Sequence, residues 1–112
     1  MYSPVVSLSL PLVVIAPKAS VTPPYQSVDV GASLKFRCAA SGYPRPSISW
    51  MRGKDRAFPK RAEISGGTLR INNVQLEDEG DYHCTVENSG GETTRKAVLY
   101  VRGTSICYLL FT

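Results

Sequence analysis

The sequence predicts an all-β sandwich, and three observations carry that prediction. Short runs alternate apolar and polar side chains with period two, the spacing of half-buried strands. Clusters of Gly, Pro, Asn and Ser separate those runs, at Ser41-Gly42-Tyr43-Pro44-Arg45-Pro46, Gly66-Gly67 and Asn88-Ser89-Gly90-Gly91. Finally, Cys38, Trp50, Tyr82 and Cys84 recur at telling intervals: the tryptophan stands 12 residues after the first cysteine and the tyrosine two before the second. Period two puts Tyr82 and Cys84 on one strand face.

Residues 1–16, MYSPVVSLSLPLVVIA, form an uncharged apolar leader or linker. Its apolar length and Val14-x-Ala16 fit a signal peptide with its cleavage site, whereas the missing positive n-region fits a Pro-rich linker or a gene-model start. It is too short, and too broken by Pro4 and Pro11, to span a bilayer. The sandwich itself is assigned to residues 17–102. A first strand at Ala19–Thr22 is interrupted by Pro23-Pro24 and resumes at Gln26–Val30, which makes it an edge strand, since proline is tolerated only there. Ser33–Ala40 alternates cleanly, with Leu34, Phe36 and Cys38 inward and Lys35 and Arg37 outward. In the next strand Ile48 and Trp50 face inward while Ser49 and Met51 face out.

Arg52 to Lys60 is polar and irregular, and a short strand follows at Ala62–Ile64. Thr68–Val74 points Leu69 and Ile71 inward, and Leu76 is expected to cap the core. Asp81–Glu87 turns Tyr82, Cys84 and Val86 inward and His83, Thr85 and Glu87 outward. Asn88 to Gly91 is a hairpin turn of the kind that needs positive φ. In the last strand, Glu92 to Val101, Ala97, Leu99 and Val101 lie inside, with Lys96, Val98 and Tyr100 outside. Residues 103–112 form an irregular apolar tail holding the odd cysteine, Cys107, either a site of intermolecular pairing or palmitoylation or a frayed, artefactual end.

The run Asp78-x-Gly80-x-Tyr82-x-Cys84, with Trp50 and Cys38 upstream, resembles the signature of the immunoglobulin superfamily. The resemblance covers roughly Pro17 to Arg102. It implies an immunoglobulin-like Greek-key β-sandwich with one inter-sheet disulfide, Cys38 to Cys84, and the Trp50 indole packed against the sulfurs. The Tyr82 hydroxyl is expected to return to the backbone just upstream, and Gly80 to allow the tight turn before the strand. Asp78 is expected to pair with an arginine at the start of another strand; Arg61 is best placed, with Arg56 and Lys60 as alternatives. The split edge strand and the 34 residues from Trp50 to Cys84 look like the intermediate, or I-set, branch. Ala39-Ala40-Ser41-Gly42-Tyr43-Pro44-Arg45-Pro46, Gly66-Gly67-Thr68-Leu69-Arg70-Ile71 and Glu87-Asn88-Ser89-Gly90-Gly91-Glu92 look most like the tandem modules of perlecan-type basement-membrane proteoglycans, with hemicentin and papilin modules close behind.

A chain of 112 residues suits one domain with a single core. Its three cysteines leave one unpaired in any scheme. A Cys38–Cys84 bridge would contribute about 4 kcal/mol and would persist in an oxidising compartment, which points to secretion or the matrix. Similar domains of giant muscle proteins keep these cysteines reduced in the cytosol. The net charge of +4 is a mild excess without a recognition helix or stacking motif, so no nucleic-acid partner is expected.

No cofactor or metal is expected, and catalysis is not: the only histidine, His83, points outward with no metal set around it. Two interaction surfaces are expected instead. Met51, His83, Val98 and Tyr100 form a modest apolar patch for extracellular proteins or neighbouring modules. Arg52, Lys54, Arg56 and Lys60, with Arg61, form a basic strip suited to heparan sulfate. The resemblance implies a binding or spacer role in matrix organisation or cell adhesion. The rivals are a stand-alone secreted recognition or growth-factor-binding protein and a titin-type elastic module inside the cell.

Overall fold

The computed structural model describes residues 13–53 and 57–103. Its strands are β1 (Ile15–Thr22), β2 (Tyr25–Asp29), β3 (Leu34–Tyr43), β4 (Ser47–Arg52), β5 (Ala62–Ser65), β6 (Thr68–Ile71), β7 (Gly80–Asn88) and β8 (Gly91–Arg102). They form two four-stranded sheets, in the orders β1-β3-β6-β5 and β2-β8-β7-β4. Pro23-Pro24 is the step between the sheets: β1 runs antiparallel to β3 in the first, and β2 runs parallel to β8 in the second. Proline cannot donate to a ladder, so the chain leaves one sheet there and joins the other two residues later.

The core lies where the inward residues of both sheets meet. Phe36, Leu69 and Ile71 come from one side and Tyr82, Val86, Ala97 and Leu99 from the other, all fully buried. Strand alternation is the cause, because every second residue of β3, β7 and the end of β8 falls on the inner face.

Two expectations are corrected. Leu76 does not cap the core: it is 58% exposed, and Val74 is buried in its place. The reason is local. Leu76 opens a one-turn 3-10 helix, Leu76–Asp78, that turns Asp78 inward instead. Val74 is held by the turn after β2, its N–H donating to the Ala32 carbonyl and its own carbonyl accepting from Gly31. Second, strand pairing begins at Ile15 and extends β3 to Tyr43, beyond the alternating run, with Ile15 opposite Tyr43. The Asn88 side-chain amide ties this end together by donating to the carbonyls of Ile15 and Pro44, at 2.8 and 3.0 Å. A cut after Ala16 would fall inside β1. The expected positive φ of the β7–β8 turn falls on Gly91, at 141°, after the two loop residues. The Asn88 side chain closes that loop by accepting from the Gly90 N–H.

Candidate interaction surfaces

Cys38 on β3 and Cys84 on β7 are bridged, with Cα atoms 6.5 Å apart, which pins the two sheets together. Trp50 pairs across the strand with Cys84. Its ring centroid lies 6.4 Å from that of Phe36, and its indole Nε1–H donates to the Gly67 carbonyl at 3.0 Å. Gly67 sits at φ 88°, and a Cβ there would stand 2.8 Å from the Cys38 carbonyl oxygen. Only glycine brings the β5–β6 turn close enough to receive the indole.

The end of β7 is fixed by a second set of contacts. Gly80 adopts φ 140°, and the Tyr82 hydroxyl donates back to the Asp78 carbonyl at 2.6 Å. The Asp78 carboxylate is 1% exposed and accepts from Arg61 Nη2 at 2.7 Å and from the Gln75 N–H at 2.8 Å. Among the three cations considered from sequence, Arg61 is the one this pair uses. Tyr82→Phe leaves the ring in place and removes one buried bond, so thermal denaturation is expected to show a loss of about 1 kcal/mol. An unchanged melting temperature would contradict the role given to this hydroxyl.

The basic strip does not survive as drawn. Arg52 is buried, at 7% exposure. Its guanidinium lies 5.4 Å from the Tyr82 ring centre and donates to the carbonyls of Ala57, Glu77 and Glu79. Arg52 therefore belongs to the core boundary, where it joins β4 to the turn before β7. Lys54 and Arg56 lie outside the described residues. Lys60 is exposed, and Arg61 is committed to Asp78 and to the Asn72 carbonyl. The signal that places Arg52 was present in the sequence: continuing the alternation of Ile48 and Trp50 by two residues puts it on the inner face.

On the outer face of the second sheet the register sorts the proposed patch into rows. Met51 stands opposite His83, and His83 opposite Lys96. Asp81 stands opposite Val98, and Val98 opposite Tyr25. Thr85 pairs instead with Thr94, their hydroxyls 3.0 Å apart, so it is not a neighbour of Val98 or Tyr100. Tyr100 lies one step further along β8, and its ring meets Tyr25 edge-on with centroids 6.4 Å apart. The apolar centre is therefore Tyr25, Val98 and Tyr100, with Met51 at the far end of the neighbouring row, beyond Lys96 and His83. Tyr25 escaped sequence reasoning because the parallel pairing of β2 with β8 is not written in either strand.

Two antiparallel-dominated sheets, a bridge between β3 and β7, a tryptophan across from the bridge and a tyrosine hydroxyl turned back on its own loop define an immunoglobulin-like sandwich. The immunoglobulin I-set domain model matches residues 17–101, and the chain belongs to that family. The core protein of the basement membrane-specific heparan sulfate proteoglycan of Mus musculus is 38% identical over 90 residues, covering 80% of this chain and 2% of that protein. Contactin-2 of Homo sapiens is 41% identical over 75 residues, covering 66% of this chain and 7% of its own length. Among solved structures, extracellular domains 3–5 of Drosophila OTK superpose with a TM-score of 0.70 at 33% identity, covering 80% of this chain and 32% of theirs. The chain thus spans a small part of the curated relatives it matches, about one module of each.

Proposed function

We propose that this chain is a non-catalytic extracellular module that acts in matrix organisation or cell adhesion by presenting the outer face of β2-β8-β7-β4 to another protein. The observation that carries the reading is the exposure of Tyr25, Tyr100 and Met51, at 63%, 51% and 53%, on the outer face of one sheet, with the two tyrosine rings in edge-on contact and Val98 paired with Tyr25. Tyrosine supplies a large contact area at low entropic cost, and aromatic residues and Met are enriched where proteins meet. The Cys38–Cys84 bridge supports the extracellular setting, because such a bond persists under oxidising conditions. Kinship with a basement-membrane proteoglycan and with extracellular domains of OTK supports it from a second direction.

The test is saturable binding of the labelled module to matrix laid down by cultured cells. Tyr25→Glu with Tyr100→Glu is expected to lower binding about tenfold or more with little change in the melting temperature. Undiminished binding by that folded variant would sink the assignment of this face. No saturable binding by the wild type would leave the module a spacer and overturn the adhesive reading.

A further inference from the structure

The opposite face of the sandwich has a different chemistry. On the outside of β1-β3-β6-β5, alternation places Lys18, Ser20 and Thr22 on β1, Lys35, Arg37, Ala39 and Ser41 on β3, Thr68 and Arg70 on β6, and Glu63 and Ser65 on β5. Lys18, Lys35, Arg37, Arg70 and Glu63 are all exposed. This face therefore holds four of the chain's 13 Lys and Arg and one of its nine Asp and Glu.

Lys35 and Arg70 are directly opposite one another in the ladder. Like charges so placed have Cβ atoms about 4.5–5.5 Å apart and destabilise a sheet. Glu63 stands across from Arg70 on the other side, but no ion pair forms there: the described ion pairs are Arg61–Asp78 and Arg102–Asp29. The Lys35–Arg70 pair forms a shared wall of two grooves. One, of about 400 Å³, is lined by Lys35, Glu63, Ser65, Thr68 and Arg70. The other, of about 290 Å³, is lined by Ser33, Leu34, Lys35, Arg70 and Asn72.

We propose that the outer face of β1-β3-β6-β5 binds a sulfated glycosaminoglycan strand, with Lys35, Arg37 and Arg70 as its sulfate and carboxylate contacts and Lys18 at the margin. The three cations come from two neighbouring strands and are held by a rigid sheet, so an anionic polymer lying across it would meet them together. Its anions would relieve the repulsion between Lys35 and Arg70. The other groups on this face are mostly hydroxyls, from Ser20, Thr22, Ser41, Ser65 and Thr68, which suit the hydroxyl-rich surface of a sugar. An acidic peptide is disfavoured because, among the described residues, no exposed aromatic or large aliphatic side chain stands beside the cations on this face: Leu34, at the edge of the second groove, is 6% exposed, and the exposed ring of Tyr43 lies six residues along β3 from Arg37. This site is separate from the loop at residues 52–60 and from the face proposed above for protein contact, so either reading can fail without the other.

The experiment is elution from heparin resin, followed by titration with a heparin-derived hexasaccharide and with a poly-glutamate peptide of matched charge. Wild type is expected to elute above physiological salt, and Lys35→Glu/Arg37→Glu/Arg70→Glu below it. Hexasaccharide binding by that variant should weaken about tenfold or more and lose most of its salt dependence. Lys60→Glu/Lys96→Glu, a control elsewhere on the surface, should elute much nearer to wild type. Because charge reversal can alter folding, Lys35→Gln/Arg70→Gln serves as a milder variant, expected to melt no lower than wild type and to bind several-fold more weakly. Wild-type elution below physiological salt would overturn the proposal. Equal retention of the triple variant and wild type would also overturn it, and equal affinity for poly-glutamate would overturn the choice of glycan.

Discussion

Trp50→Ala is expected to lower the stability of the domain by about 3–5 kcal/mol, enough to leave much of the chain unfolded at 37 °C. Three losses combine. The indole is the largest side chain in the buried cluster around the bridge, so truncation leaves a cavity between the sheets that strand backbones cannot collapse to fill. The Nε1–H bond to Gly67 disappears, and with it one of two donors that the Gly67 carbonyl receives, the other being the Cys38 N–H. The Phe36 ring also loses its neighbour. Cys84→Ser is expected to cost about 2–5 kcal/mol by releasing the loop closed between residues 38 and 84 in the unfolded chain. Chemical denaturation monitored by fluorescence and far-UV circular dichroism measures both; for Trp50→Ala, which removes the only tryptophan, circular dichroism is the readout. A neutral result for either change would contradict a core built around Trp50 and the bridge.

Arg52→Glu is expected to be nearly as damaging, at about 3 kcal/mol or more, although a basic loop residue next to a glycine ordinarily tolerates charge reversal. The substitution puts a carboxylate where the carbonyls of Ala57, Glu77 and Glu79 now accept from the guanidinium. Those oxygens would lose their donors and face a negative charge at low exposure. Arg52→Met is expected to recover part of the loss by restoring the packed stem over Tyr82 without the donors. Lys60→Glu, at an exposed position a few residues on, should stay within about 0.5 kcal/mol of wild type. Parallel urea titrations of the three variants separate the two environments. Similar behaviour of Arg52→Glu and Lys60→Glu would contradict the buried role of Arg52.

Arg52 also shows where sequence reading of this chain succeeded and where it did not. The strands and most of their inward residues were legible because each depends on period two within one segment, whereas the Asp78–Arg61 pair was implied by the resemblance to the immunoglobulin superfamily, with Arg56 and Lys60 as open alternatives. Arg52 was misread because composition outweighed alternation: five cations in ten residues suggest a solvated loop, yet the strand runs on through Arg52 and buries it. Leu76 failed for the opposite reason, since an apolar side chain in a one-turn helix is carried outward while the polar Asp78 takes the interior position. The surfaces were the least legible part. The Tyr25–Tyr100 contact needs the parallel pairing of β2 with β8, and the Lys35–Arg70 juxtaposition needs the register of β3 on β6. Neither register is encoded in a single strand, because each arises from how two distant segments close the sandwich.

The most direct measurement is intact-mass analysis of the chain produced in a secreting eukaryotic cell, with and without reductant, followed by peptide mapping after alkylation. The expected result is a product lighter by the two hydrogens of one bridge, with a Cys38–Cys84 linked peptide and Cys107 as the thiol left over. Three alkylatable thiols in native secreted material, or a linkage that includes Cys107 in place of either partner, would contradict the disulfide-pinned extracellular module.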